Sequence, residues 1–179
     1  MLSERGGDPS QLAFWDEKIT FSGAILIEAR IHAIHEIETL ASLTHSELTR
    51  SSEILRLAYH PAYDPFPQKP GQFALLLEAP INRTGIDKSE ILAGFRVALE
   101  KKRSEEIARG LTTLGPHRDE MRFLANGIDL GTYGSRGQIR TAMLAIKIAE
   151  VAWMKTKTGH WPVLLLDEVL AELDPQRRA

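Results

Sequence analysis

Two features of this sequence have the residue types and spacing that chemistry requires. The first is Pro162-Val163-Leu164-Leu165-Leu166-Asp167-Glu168. A short, wholly apolar run of this kind reads as a buried parallel strand, although periodicity alone leaves a helix open. A strand that ends in two acids delivers both carboxylates to the carboxyl edge of a sheet, where open α/β sheets bind ligands. In nucleotide hydrolysis the first acid, Asp167, would hold Mg²⁺, a hard cation that takes oxygen ligands. The second, Glu168, would polarise the attacking water. A strand followed by a solvated acidic turn fits the same residues.

The second feature is Tyr133-Gly134-Ser135-Arg136-Gly137-Gln138, which opens a helix. Two glycines let backbone N–H groups approach an anion closely. Ser135 adds a hydroxyl, and the helix N-terminus adds a favourable dipole. The plainer reading is a glycine-rich turn with Ser135 as an N-cap.

These residues need elements to position them. Asp8 and Pro9 suit the start of a long helix, with Gln11 at the capping-box position. Leu12, Trp15, Ile19, Leu26, Ile27, Ile31, Ile34, Ile37 and Ala41 form its apolar stripe, running to about Thr44 or Arg50. Gly23 inside it predicts a kink. Ile54 to His60 alternates and favours a strand. Three prolines between Pro61 and Pro67 make a loop, and Phe73 to Glu78 reads as a short strand or a helix start. Asp87 and Glu90 form a capping box for a second helix. Leu92, Phe95 and Leu99 are its apolar stripe, and Gly110 ends it after Arg109. Two long helices around a proline-rich connection predict an antiparallel helical arm over residues 1–110.

After Gly110 the pattern changes, and 111–179 reads as a separate α/β lobe. Thr112 to Leu114 reads as a strand. Met121 to Ala125, Asn126-Gly127 and Ile128 to Tyr133 predict a hairpin with a type I′ turn. A helix then runs from Gln138 to about Lys155. Apolar residues on nearly all its sides predict burial all round.

Composition narrows the function class. The chain has 179 residues, 43% hydrophobic and 26% charged, an ordinary globular balance for one domain or one domain with an elaboration. A net charge of −2 excludes a histone-like polymer binder, so any nucleic-acid site is a local patch. No cysteine is present, which excludes disulfides, thiolate metal sites and thiol nucleophiles. No apolar run approaches a membrane span, and the N-terminus lacks the apolar core of a signal peptide. The expectation is a soluble, cytoplasmic α/β protein.

The two chemical features stand in a set order: glycine–serine loop, helix, short loop, apolar strand, Asp-Glu. That order matches the signature and Walker B elements of ABC-type ATPases, and Glu172-Leu173-Asp174 falls at the D-loop position. The sequence resembles the RecF family, SMC-like ABC ATPases of bacterial recombinational repair. The resemblance is carried by Trp15-Asp16-Glu17, then by Arg103, Glu106, Gly110, Thr112 and Gly115-Pro116-His117-Arg118-Asp119-Glu120. Asn126-Gly127, the Tyr133–Gln138 block, Arg140-Thr141, Leu144-Ala145-Ile146-Lys147, Ala149-Glu150 and the two acidic blocks continue it. It spans nearly the whole chain, except about Ser52 to Asp87. The family usually carries Gln at Arg136 and Ile139, and often Asp at Glu120 and Glu168. Acid for acid preserves the chemistry, whereas Arg136 adds a charge beside the proposed phosphate.

The resemblance implies a partial ABC-ATPase-like lobe with a long helical arm. It implies an ATP-dependent homodimer in which Ser135, Gly137 and Gln138 contact the γ-phosphate bound to a partner subunit. Asp167 would serve Mg²⁺, Glu168 would act as general base, and Asp174 would join the dimer interface. It further implies clamping of duplex DNA near single-strand gaps, recombinase loading with the RecO and RecR proteins, and roles in DNA replication, recombination and the SOS response. The family's N-terminal Gly-x-x-x-x-Gly-Lys-Ser/Thr phosphate loop is missing: no Gly-Lys dipeptide occurs in the chain. The chain is thus expected to be an internal piece of such a protein, with Met1 an artificial start or the mark of a truncated frame. By itself it is expected neither to bind ATP tightly nor to hydrolyse it.

Other residues have plainer readings. His32 and His35 could share a metal, but two solvated helix histidines suit them better. His117-Arg118 would meet phosphate or form a turn after Gly115-Pro116. Lys101-Lys102-Arg103, flanked by Glu100, Glu105 and Glu106, reads as a solvated face with salt pairs. Arg177-Arg178 says little. The competing function class is a non-enzymatic helical scaffold or interaction module.

Overall fold

The computed structural model describes residues 9–66 and 80–165. The elements run α1 (Pro9–Leu48), β1 (Leu55–His60), α2 (Lys88–Arg109), a 3₁₀ turn (Pro116–Arg118), β2 (Glu120–Ala125), β3 (Ile128–Asp129), α3 (Leu130–Tyr133) and α4 (Arg136–Thr158). Asp8 and the Phe73–Glu78 run lie outside the described residues. The chain forms two compact units, each assembled from three stretches: 1–32, 59–72 and 82–120, and 33–58, 73–81 and 121–179. Among the described residues no helix is long and apolar enough to cross a membrane.

In the first unit, the early part of α1 packs antiparallel on α2. Asp16 is ion-paired with Arg103, and Gly23 sits against Phe95, so one helix ascends as the other descends. The capping box at the start of α2 is complete: Asp87 accepts from the Ser89 amide, and Glu90 reaches back to the Asp87 amide at 3.3 Å. Bonds from the Ser89 hydroxyl and amide hold the Asp87 carboxyl below its ordinary pKa. Gly110 ends the helix in the left-handed conformation, φ 67°. Ala24, Ile27, Ile31, Ile91, Phe95 and Leu99 fill the core, and the Tyr63 ring stacks on Phe95 at 5.3 Å.

α1 is helical without a break from Pro9 to Leu48, through Gly23. A Cβ at Gly23 would stand 2.6 Å from the Phe95 ring, so the glycine serves close helix packing. Of the expected stripe, Trp15 and Leu26 are exposed, and Thr20 and Ala24 take the buried line. Thr20 is tolerated there because its hydroxyl donates to the Asp16 carbonyl at 2.8 Å.

The second unit gathers the rest of α1, most of the sheet and α4. Strand order is β1-β2-β3. β2 and β3 pair antiparallel, Ala125 opposite Ile128. Asn126 and Gly127 have φ 50° and 80°, as a type I′ turn requires. Ala41, Leu55, Leu57, Ala125, Leu130, Ala142, Ala145 and Ala149 make the core, where small alanines let α4 lie close.

The hairpin's second strand stops at Asp129, because the Asp129 side chain accepts from the Gly131 amide at 2.9 Å and starts α3. Thr112 to Leu114 is not a strand: the Thr113 and Leu114 amides donate to the Glu106 carboxylate, so side chains take the bonds a ladder would need. α4 is buried on one face only, with Ile139, Met143 and Ile148 each about two-fifths exposed. Val163 to Leu165 is irregular backbone with Val163 90% exposed, because no strand among the described residues pairs with it.

Candidate functional site

Local sequence builds the tip of α4. Gly134 lets α3 turn straight into α4, since a Cβ there would stand 2.5 Å from the Leu130 carbonyl oxygen. Its role is this close approach, while the open glycine of the loop is Gly137, where an added Cβ would meet nothing nearer than Ser135 Oγ at 4.0 Å. Ser135 is the N-cap. Its Oγ accepts from the Gln138 amide at 3.2 Å, and its own amide donates to Gln138 Oε1 at 3.0 Å, which completes a capping box. Ser135, Arg136 and Gly137 are exposed. The plain N-cap reading of Ser135 therefore holds, and it leaves the ligand reading open. A helix start with an exposed hydroxyl, an arginine and an unobstructed glycine has the chemistry an oxyanion wants.

Gln138 also makes a contact that the sequence does not announce. Its Nε2 donates to Glu53 Oε1 at 3.0 Å. Glu53 Oε2 in turn lies 3.6 Å from Nε2 of His45, a fully buried residue of α1.

Asp167, Glu168 and Asp174 lie outside the described residues. The Ser135–Gly137 stretch fits a phosphate in residue type and exposure. Ser135, Gly137 and Gln138 are together at that tip because they share one helix turn.

The first unit holds a separate cavity of about 460 Å³. Trp15, Asp16, Arg103, Glu106, Gly110 and Thr112, all residues that carry the family resemblance, line it with Ile19, Leu99, Ile107 and Leu111. Its floor is organised by Glu106. That buried carboxylate accepts from the Thr113 amide at 2.5 Å, the Thr113 hydroxyl at 2.9 Å and the Leu114 amide at 3.2 Å. These three bonds hold the loop after Gly110 in place.

Asp119, just before β2, is a hub. It accepts from Arg30 Nη1 at 2.6 Å, the Tyr59 hydroxyl at 2.5 Å and the Ala62 amide at 2.9 Å. Burial first, and then the Asp119 carboxylate, push the Tyr59 phenol well above its ordinary pKa. Arg83, itself buried, donates to both oxygens of Asp64 at 2.9 and 2.5 Å and to the Tyr59 carbonyl at 3.1 Å. The sequence alone announces none of these partners, because each pair joins residues 19 or more positions apart.

His32 and His35 are exposed on α1, and among the described residues no three His, Asp or Glu side chains gather to hold a metal. Lys102 pairs with Glu105 at 2.7 Å, as does Arg109 at 3.0 Å, and together they hold the exposed Glu105 carboxyl below its ordinary pKa. Arg103 leaves that face for Asp16. His117 Nε2 and Arg118 Nε each lie 3.3 Å from the Thr112 carbonyl oxygen, so both residues tie the turn to the loop before it.

No family model matches the chain. It is 38% identical over 178 residues to the DNA replication and repair protein RecF of Halothermothrix orenii, covering 99% of this chain and 43% of the relative. The RecF of Chloroflexus aurantiacus is 38% identical over 170 residues, covering 95% and 39%. Among solved structures, the recombination mediator protein RecF-ATPrS of the RecFOR pathway matches with a TM-score of 0.78 at 29% identity, over 98% of this chain and 42% of that one. The RecF-ATP structure of the same pathway matches with a TM-score of 0.74 at 28% identity, over 99% and 42%. The chain spans about two fifths of the length of these relatives.

Proposed function

We propose, for a chain whose sequence belongs to the RecF family along nearly its whole length, that it supplies the signature side of an ATP-dependent dimer in DNA repair. The observation that carries this is the α4 tip: a capped helix start that exposes Ser135, Arg136 and Gly137, with the Gln138 side chain held within the same turn. The relatives are DNA replication and repair proteins, and solved members of the family are RecF-ATP and RecF-ATPrS.

In this reading the 111–179 lobe presents Ser135, Gly137 and Gln138 to the terminal phosphate of ATP held by the partner subunit. The phosphate brings charge; the tip answers with a hydroxyl, backbone N–H groups and the positive end of the helix dipole. Asp167 holds Mg²⁺, Glu168 acts as general base on water in the same subunit's site, and Asp174 lies in the dimer interface. The 1–110 arm and the lobe together belong to a cytoplasmic protein. It closes on duplex DNA near single-strand gaps and works with the RecR and RecO proteins to load recombinase.

The test uses a full-length RecF protein carrying this segment. Ser135→Arg, which fills the tip with a long cationic side chain, is expected to abolish ATP-driven dimers in light scattering while leaving ATP bound to the monomer. Glu168→Gln is expected to give stable ATP dimers with hydrolysis reduced at least ~100-fold. Normal dimerisation of the Ser135 variant would remove the signature reading, and normal turnover of the Glu168 variant would remove the base.

A further inference from the structure

The Gln138 amide is engaged at both ends, and the two ends cannot be exchanged. Oε1 must accept, because its partner is the Ser135 N–H at 3.0 Å. Nε2 must donate, because a carboxylate oxygen of Glu53 is its partner at 3.0 Å. With an acceptor oxygen of Glu53 at one end and the Ser135 N–H at the other, the amide points one way only. Glu53 itself is held on both sides. Asn126 Nδ2 donates to the Ser52 carbonyl at 3.2 Å, and the Ile54 amide donates to Asn126 Oδ1 at 2.9 Å. The Asn126 amide also donates to the Ile54 carbonyl at 3.0 Å.

The backbone around Glu53 is unusual. Among the described residues, three that are not glycine have positive φ: Arg50 at 51°, Ser51 at 60° and Asn126 at 50°. Two of them form the turn that leads from α1 to Glu53, and the third grips the residues on either side of it. Left-handed backbone at consecutive non-glycine residues costs free energy, and folds retain it where the placement it achieves matters.

We infer that Glu53 is a positioning residue for the signature tip, acting through Gln138 on the presentation of Ser135. This rests on the function proposed above. Glu53 holds the Gln138 side chain so that Oε1 closes the capping box over the Ser135 amide. Ser135 Oγ then accepts from the Gln138 amide, which leaves its own O–H to donate to an incoming phosphate. Without Glu53 the amide turns freely and the tip is no longer ordered before its ligand arrives.

The experiment uses the same full-length protein with Glu53→Ala and Glu53→Gln, and Ser135→Arg as a control. Without nucleotide, Glu53→Ala is expected to speed hydrogen exchange of the Ser135 amide about tenfold. It is also expected to raise the ATP concentration for half-maximal dimerisation about tenfold, the effect of losing one charge-assisted hydrogen bond. Glu53→Gln keeps an acceptor for Nε2 and is expected to restore both readouts to within about twofold. ATP binding to the monomer and the thermal midpoint report whether a variant has simply lost its fold. Unchanged exchange at Ser135 in Glu53→Ala overturns the inference. So does faster exchange with normal dimerisation while Ser135→Arg blocks dimers, and so does a Gln variant as impaired as the Ala one. If Ser135→Arg dimerises normally, the proposed function fails instead, and the exchange data still decide the geometry.

Discussion

Tyr59 donates its hydroxyl to Asp119 at 2.5 Å, and the same carboxylate oxygen takes Arg30 Nη1 at 2.6 Å. Two donors from β1 and α1 thus meet one acceptor at the start of β2. The Asp119 side chain is only 5% exposed, so removing it leaves a buried phenol and a backbone amide without their acceptor. Asp119→Ala is expected to cost about 2–3 kcal/mol, read from urea unfolding, with Asp119→Asn costing less because one carbonyl oxygen remains. The same pair makes stability depend on pH. Tyr59 is held neutral in the fold, while an unfolded tyrosine ionises near pH ~10. A raised folded pKa means that this contribution is complete below about pH 10 and is lost as the pH climbs from there through the folded value. Tyr63, raised by its burial and then by Asp64, adds in the same direction. Tyr59→Phe is expected to flatten the alkaline fall in urea midpoint; an unchanged slope would remove Tyr59 as its source.

Gly23→Ala sets two effects against each other. Alanine is worth about 1 kcal/mol over glycine in a helix interior. Here, however, the added methyl would stand 2.6 Å from the Phe95 ring, and forced overpacking of a core typically costs about 1–3 kcal/mol. The ring is buried and stacked on Tyr63, so it has little room to yield. The variant is expected to melt lower than wild type, and the double variant with Phe95→Leu is expected to recover part of the loss. A higher melting temperature for the single variant would show that the helices can part cheaply.

Glu106 is expected to govern order around the arm cavity. Glu106→Ala removes the acceptor of two backbone amides and a hydroxyl, at an expected cost of about 2 kcal/mol. The local readout is sharper than the global one: the Thr113 and Leu114 amides are expected to exchange with solvent at least ~10-fold faster. Glu106→Gln, which retains one acceptor oxygen, is expected to fall between.

The chain's local signals were legible because they act within one turn. Asp87 with Glu90, Gly110, Asn126-Gly127 and the Ser135 cap each satisfy backbone groups a few residues away, so spacing alone determined two helix starts, one helix end and one hairpin turn. Tertiary structure decided what depends on distant partners. It gave Gly23 a packing role and turned the buried face of α1 from Leu26 toward Ala24. It set Glu53 beside Gln138 across 85 positions, and it drew residues 15–16 together with 103–112 around one cavity. It also left Val163–Leu165 outside any strand, because an apolar run becomes a strand only where a neighbouring strand can take its backbone hydrogen bonds. Caps and turns are solved by the residues beside them, whereas faces, registers and ion pairs are chosen by whatever the rest of the fold brings into reach.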